Sequence, residues 1–193
     1  MSNRNPDQTY TYADYKQWDD SQRWEIIGGT LYNMTPAPSR RHQVIIRNML
    51  LQMGNYLVGK KCQVFQSPFD VRLFEDKQTD DDQINTVVQP DLLIVCDPSK
   101  LDDAGCKGAP DLIVEVLSPS TSVKDKTTKK FLYEQSGVRE YWIVDPANNY
   151  VEVYLLDRER RVYQTPVIYP SNGLVQVSIF DDLQVDLTRV FTE

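Results

Sequence analysis

Glu115 sits inside Pro110-Asp111-Leu112-Ile113-Val114-Glu115-Val116-Leu117, a run otherwise so apolar that it reads as a strand buried on both faces. An ionised carboxylate taken out of water costs several kcal/mol, on the order of a domain's whole net stability, unless a cation or strong donors compensate it. The run Pro90-Asp91-Leu92-Leu93-Ile94-Val95-Cys96 repeats the pattern ahead of it, with its acid at the mouth. Two such strands side by side bring two carboxylates to one sheet edge, as a divalent metal requires. Asp111 and Glu115, four apart on one strand, share a face but stand ~13 Å apart at ~3.3 Å per residue. Asp91 can approach Glu115 across the ~4.8 Å strand spacing, so Asp91 is the expected partner and Asp111 a cap at the strand entrance. Two carboxylates plus the backbone carbonyl of Val116 leave the open positions that hard Mg²⁺ keeps for water. Such an ion acidifies bound water and polarises a phosphoryl oxygen, which suits phosphodiester hydrolysis. A lysine would position the attacking water or offset developing charge, and the stretch after the Glu115 strand offers Lys129 and Lys130. Asp125, four residues before Lys129, shares its helix face.

The elements that must hold these groups follow from patterning. Residues 23–34 carry two apolar stretches around Gly28-Gly29, a two-residue hairpin signal that puts Glu25 on its first strand. Thr35-Pro36-Ala37-Pro38-Ser39 breaks that strand. From Arg40 to about Val58, Val44, Ile45, Met49, Leu50, Met53 and Leu57 recur at helical spacing. His42 opens this helix; it is a candidate to reach a phosphate or water, with capping as the plainer role. Strands are expected near 63–65 and 69–74, and the polar segment 75–85 reads as a mobile loop. Ser118-Pro119-Ser120-Thr121-Ser122 is rich in capping residues and introduces a helix from about Val123 to Gln135 that ends at Gly137. Strands 140–145, 150–156, 161–169 and 174–180 complete an α/β pattern. Tyr133, Tyr141 and Trp142 are expected to pack, with groove lining as the alternative. Glu25 is either an accessory ligand or a salt-bridged surface acid.

At 193 residues and 40% hydrophobic, the chain suits one α/β domain spanning 1–193, with 1–10 as a flexible N-terminus. No apolar run reaches about 18 residues and the N-terminus lacks a signal-peptide core, so a cytoplasmic protein with no membrane contact is expected. Cys62, Cys96 and Cys106 are odd in number and show no Cys-x-x-Cys spacing, so buried or idle thiols are expected rather than a disulfide. A net charge of −7 argues against a broad basic surface and leaves room for a local basic groove. The basic residues gather at Arg40-Arg41, Lys60-Lys61 and Lys124, Lys126, Lys129 and Lys130; solvated surface is their default reading.

A resemblance then becomes plain. Gln89-Pro90-Asp91, the run from Gly108 to Thr121 around Glu115, then Asp125, Lys129 and Tyr133, then Gly137-Val138-Arg139-Glu140-Tyr141-Trp142-Ile143-Val144-Asp145-Pro146 resemble the restriction endonuclease family known as domain of unknown function 820. That family is assigned to the PD-(D/E)XK nuclease superfamily. The likeness runs from about residue 10 to 185, and Trp24-Glu25-Ile26-Ile27-Gly28-Gly29 and Met34-Thr35-Pro36 with His42 resemble its N-terminal signature. It implies a restriction-endonuclease-like core, a mixed β-sheet flanked by helices with additional β-hairpins. Asp91 and Glu115 would be the two acids binding Mg²⁺ or Mn²⁺, with DNA as substrate. Two departures stand out. Leu117 occupies the superfamily's lysine position, so the resemblance points to Lys129 on the next helix, and Gly28 replaces an Asp usual in relatives. The expected function is a metal-dependent DNA endonuclease, with a homodimer as the simplest way to cut both strands. The acidic pI near 4.8 and the relocated lysine motivate the alternative, an inactive nuclease-fold binding or assembly module.

Overall fold

The computed structural model describes residues 8–18, 22–34, 37–73 and 79–192. Part of the expected 75–85 loop, Thr35-Pro36 and residues 1–7 of the expected flexible N-terminus lie outside these; Tyr10 is buried and its N–H donates to the Gly29 carbonyl at 2.9 Å. A short helix α1 (Tyr12–Tyr15), closed by a capping box of Thr11 and Asp14, precedes the hairpin β1 (Trp24–Ile27) and β2 (Thr30–Asn33). Gly28 and Gly29 make its turn at φ 57° and 80°, a left-handed pair that matches the strand twist. Ser39 caps α2 (Arg40–Leu57) by accepting from the His42 N–H. The chain continues through β3 (Gln63–Gln66), β4 (Val71–Arg72), β5 (Val87–Val88), β6 (Leu92–Val95), β7 (Leu101–Asp102), β8 (Gly105–Lys107) and β9 (Leu112–Val116). One helix, α3, is built from Ser122–Lys124, a π turn over Asp125–Lys129, and Lys130–Ser136. It ends on Gly137 at φ 84°, a left-handed conformation that glycine adopts with the least strain. β10 (Glu140–Asp145), β11 (Tyr150–Asp157), β12 (Val162–Tyr163), β13 (Val167–Pro170), β14 (Leu174–Gln176), β15 (Gln184–Asp186) and α4 (Leu187–Phe191) follow.

The main sheet runs β12-β11-β10-β9-β6-β3, with β13 also on β11. β9 is central, parallel to β10 and antiparallel to β6, so the sheet is mixed and flanked by helices as expected. Both faces of β9 are covered. Leu112, Val114 and Val116 meet Ile45, Met49 and Met53 of α2 in one cluster, while Ile113 meets Tyr133 of α3 and Val71 and Val88 of the second sheet in the other. That second sheet, β2-β1-β5-β4-β8-β7, lies over the same face as Ile113 and carries Glu25 inward.

Three expectations need correction. Cys62 and Cys96 form a disulfide, because the antiparallel register that sets Gln63 opposite Val95 sets these two opposite each other one step further; a sequence separation of 34 does not reveal this. Cys106 alone is a buried free thiol, which burial pushes up to about 12. The expected strand 161–169 breaks before Pro166, which has no N–H to give, and 174–180 stops at Gln176, with β15 and α4 following unforeseen.

Candidate active site

β6 and β9 place the two acids. Their register sets Leu92 opposite Val114, so one residue further Asp91 stands opposite Glu115 on the same face. Asp91 Oδ2 accepts from the Val116 N–H at 2.8 Å. Asp111 lies at the far end of β9, accepting from the Cys96 N–H at 2.7 Å and pairing with Arg139 at 3.2 Å. It thus ties down the β9 entrance, the capping position expected of it.

Lys129 descends on Glu115 from α3. Its Nζ lies 2.9 Å from Glu115 Oε1, 2.7 Å from Glu25 Oε1 and 3.9 Å from Asp125 Oδ1, with its side chain 4% exposed. The Tyr133 hydroxyl donates to Glu115 Oε1 at 2.7 Å, so this tyrosine is part of the site as well as of the core. Glu25 is fully buried, which makes it neither a solvated nor a surface acid; Lys124 grips its Oε2 at 2.8 Å and the Gln89 N–H donates to its Oε1. Lys130 points elsewhere, its ammonium 5.0 Å from the Tyr154 ring. His42 is not a cap: its Nε2 lies 3.2 Å from Asp91 Oδ2, and Ser39 does the capping.

Sequence reasoning missed Lys124, which it left among solvated surface cations. The π turn explains why. At ~100° per residue an α-helix would set residues 124 and 129 about 140° apart, whereas i→i+5 bonding stacks them and lets both reach Glu25. Gln89 was also missed as a participant. Its Oε1 accepts twice from Arg23, at 3.0 and 2.7 Å, and its Nε2 donates to Asp70 at 2.7 Å, so it fixes a guanidinium at the groove wall.

The electrostatics record a shortage of positive charge. Burial first, then the charges of Asp125, Asp91 and Glu25, push Glu115 up to about 8 against the pull of Lys129. Burial also raises Asp125, and its Oδ1 is buried with no hydrogen-bond partner. Glu25 is the exception: burial would raise it, yet Lys129 and Lys124 hold it below the usual range. Burial opposes the charge on Lys129, but Glu115, Glu25 and Asp125 outweigh it and keep the ammonium protonated. Burial likewise lowers His42, and the hydrogen bond to Asp91 more than offsets it.

All of this opens into a groove of about 1300 Å³ whose walls include Arg23, Tyr32, Arg41 and the Ser118 to Lys124 segment. Among the described residues no three His, Cys, Asp or Glu side chains come close enough together to hold a metal ion by themselves. No described helix is long and apolar enough to cross a membrane.

Comparison with known proteins decides the lineage. Residues 12–188 match the family model Uma2, described as "Putative restriction endonuclease". The chain belongs to the Uma2 family. Uncharacterized protein slr1290 of Synechocystis sp. is 28% identical over 144 residues, 73% of this chain and 71% of its own. A crystal structure titled as a "putative nuclease belonging to DUF820" from Anabaena variabilis superposes with a TM-score of 0.73 at 18% identity, covering 94% of this chain and 97% of that one. The fold of this Uma2 chain is thus the nuclease fold that the sequence resembled.

Proposed function

We propose that this Uma2 chain is a metal-dependent endonuclease hydrolysing DNA phosphodiester bonds, with Asp91, Glu115 and the Val116 carbonyl holding Mg²⁺ or Mn²⁺. The observation that carries the reading is Lys129 Nζ at 2.9 Å from a buried Glu115 whose strand register sets it opposite Asp91 at the floor of an open groove. The residues fit a divalent cation. Four carboxylates, Glu25, Asp91, Glu115 and Asp125, face two ammonium groups, Lys124 and Lys129, so with every acid ionised and His42 neutral the cluster would carry a charge of −2. The raised Glu115 and the Asp125 Oδ1 that accepts no hydrogen bond are what such a deficit leaves behind.

When bound, the ion supplies Lewis acidity and a lowered pKa for its water. The protein's own groups do the rest. Asp91 is held by the Val116 N–H and His42, so its carboxylate is oriented before any ligand arrives. Lys129, protonated and tied to Glu25, presents a fixed positive charge beside the scissile phosphate and orients the attacking water. Glu25 and Lys124 keep that lysine from swinging onto Glu115 alone. Arg23, anchored by the neutral Gln89 and Ser67, offers its charge to a neighbouring phosphate. We read the chain as one domain, and cleavage of both strands as the work of two copies.

Incubating supercoiled plasmid with Mg²⁺ or Mn²⁺ tests this. Nicking is expected to vanish with chelator and in Asp91→Ala and Glu115→Ala, and to fall by about 10²-fold or more in Lys129→Ala. Cleavage that survives Asp91→Ala sinks the assignment.

A further inference from the structure

One face of the β1–β2 hairpin turns into the groove, and its chemistry differs from that of the acid floor. Trp24 pairs with Asn33 and Glu25 with Tyr32, and the Met34 N–H donates to the Arg23 carbonyl at 3.0 Å, so the same register continues and sets Arg23 opposite Met34. Residues directly opposite each other in an antiparallel pair share a face, as do residues two apart on one strand. Arg23, Glu25, Tyr32 and Met34 therefore stand together on the face that carries Glu25 inward, and all four line the groove. One rung of this ladder offers a guanidinium beside a thioether. The next offers a phenol ring beside a carboxylate of the buried cluster.

Lys124 ties the ring to that cluster: its Nζ lies 2.8 Å from Glu25 Oε2 and 5.1 Å from the centroid of Tyr32. Tyr32 and Met34 are half-buried, whereas Ile26, on the opposite face of β1, is fully covered. Two residues apart on a strand, they are spaced by ~7 Å, about two base steps at ~3.4 Å each. A phosphate needs cations and donors, and an apolar ring next to them suits the face of a base. In a duplex those faces are covered by neighbouring bases, and only base edges and backbone are offered. An unpaired nucleotide exposes both parts at once. Its phosphate can meet Arg23, whose hydrogen-bond partners Gln89 and Ser67 are neutral, while its base lies on Tyr32 and Met34. Strand-borne aromatic rings beside cations hold unpaired bases in this way in other sheets.

Resting on the nuclease reading of the same groove, we infer that this hairpin face is a base-stacking subsite for unpaired DNA, with Tyr32 as its platform and Arg23 holding the adjacent phosphate. Single-stranded DNA is then preferred to intact duplex. Supercoiled plasmid still qualifies as a substrate, because negative supercoiling favours locally opened strands. The plainer role for Tyr32 is to pack on Lys124 and keep it against Glu25.

Binding to Glu115→Gln in chelator, where no strand is cut, separates the two. The probes are a run of deoxythymidines carrying one fluorescent purine that stacking quenches, and the duplex of the same sequence. The single strand should bind about tenfold or more tightly than the duplex, with its emission falling on binding. Tyr32→Leu in that background should weaken the single strand about fivefold to a hundredfold and abolish the quenching while changing the duplex less than about twofold, and Tyr32→Phe should restore both. Thermal melting checks that the leucine variant folds, and the strand preference of its parent decides the matter even if it does not. Equal affinity for the two forms, no binding of the single strand, or an equal loss of both in Tyr32→Leu overturns this inference; metal-dependent plasmid nicking by the wild type then leaves the nuclease reading standing. An RNA run of the same length that binds tenfold more tightly overturns the assignment to DNA. No binding of either form, together with no metal-dependent nicking by the wild type, overturns both readings.

Discussion

Glu115 was legible from sequence as an acid that a buried strand tolerates at a cost, and the structure gives that cost a direction. Its folded-state pKa lies at about 8 against 4.5 for the free side chain. A group raised in this way contributes stability that is fully present below its unfolded value and lost as pH rises through the folded one. The window is therefore about pH 4.5 to 8, and His42, also raised, adds a loss in the same sense above its ordinary 6.5. Glu25, lowered, acts outside this window, losing its contribution only as pH falls below 4.5. Glu115→Gln removes the charge but keeps an acceptor for Tyr133 and Lys129. In chelator at pH 8.5 we expect it to be more stable than the wild type by about 1–3 kcal/mol, shrinking toward zero near pH 4.5, as metal binding disappears. Urea denaturation at the two pH values measures it, and a gap that fails to widen with pH would remove the case for a strained, cation-poor cluster.

At the scale of elements, what the sequence disclosed was what local periodicity encodes. The apolar runs gave β6 and β9, helical spacing gave α2, the capping loop and Gly137 gave the ends of α3, and Gly28-Gly29 gave the β1–β2 turn. What stayed hidden lies in register and helical phase: the Cys62–Cys96 bridge needs the β3–β6 alignment, and the approach of Lys124 to Glu25 needs a π turn that no apolar pattern announces. His42 and Asp91, and Glu25 and Lys129, meet only through packing between distant segments. The hairpin that delivers Glu25 can be tested at its two glycines, which differ although both have positive φ. A Cβ at Gly29 would lie 2.1 Å from Thr9 Cγ2, whereas one at Gly28 meets nothing within 4 Å. Gly29→Ala is expected to cost about 1–2 kcal/mol or more and Gly28→Asp less, about 0.5–1 kcal/mol, because Asp tolerates the left-handed region better than most residues and meets no neighbour there. Thermal melts compare them; equal losses would mean that the close approach to Thr9 is not what fixes this turn.

At the scale of the whole molecule, a chain of charge −7 must hold a polyanion, and it can do so only locally. Of the described cations facing the groove, Lys124 and Lys129 are committed to Glu25, while Arg23 is held by the neutral Gln89 and Ser67. Among the described residues this leaves few groove-lining cations, Arg23 foremost, to displace counterions from phosphates. Binding of a labelled duplex to Glu115→Gln, followed by anisotropy between 50 and 200 mM salt, should therefore give a shallow log–log slope of about −1 to −2, since each phosphate neutralised contributes about −0.9. A slope of about −6 or steeper would mean that a broad basic surface contacts the DNA, which the net charge and the placement of these cations oppose. Arg23→Ala should flatten the slope by about one unit without touching the buried cluster, because its anchor Gln89 meets Glu25 only through the backbone N–H. With so shallow an electrostatic contribution, affinity in the wild type must come chiefly from the bound ion engaging the phosphate, so the wild type with Ca²⁺ present should bind the same duplex more tightly than the wild type in chelator or than Glu115→Gln, which has lost the ion.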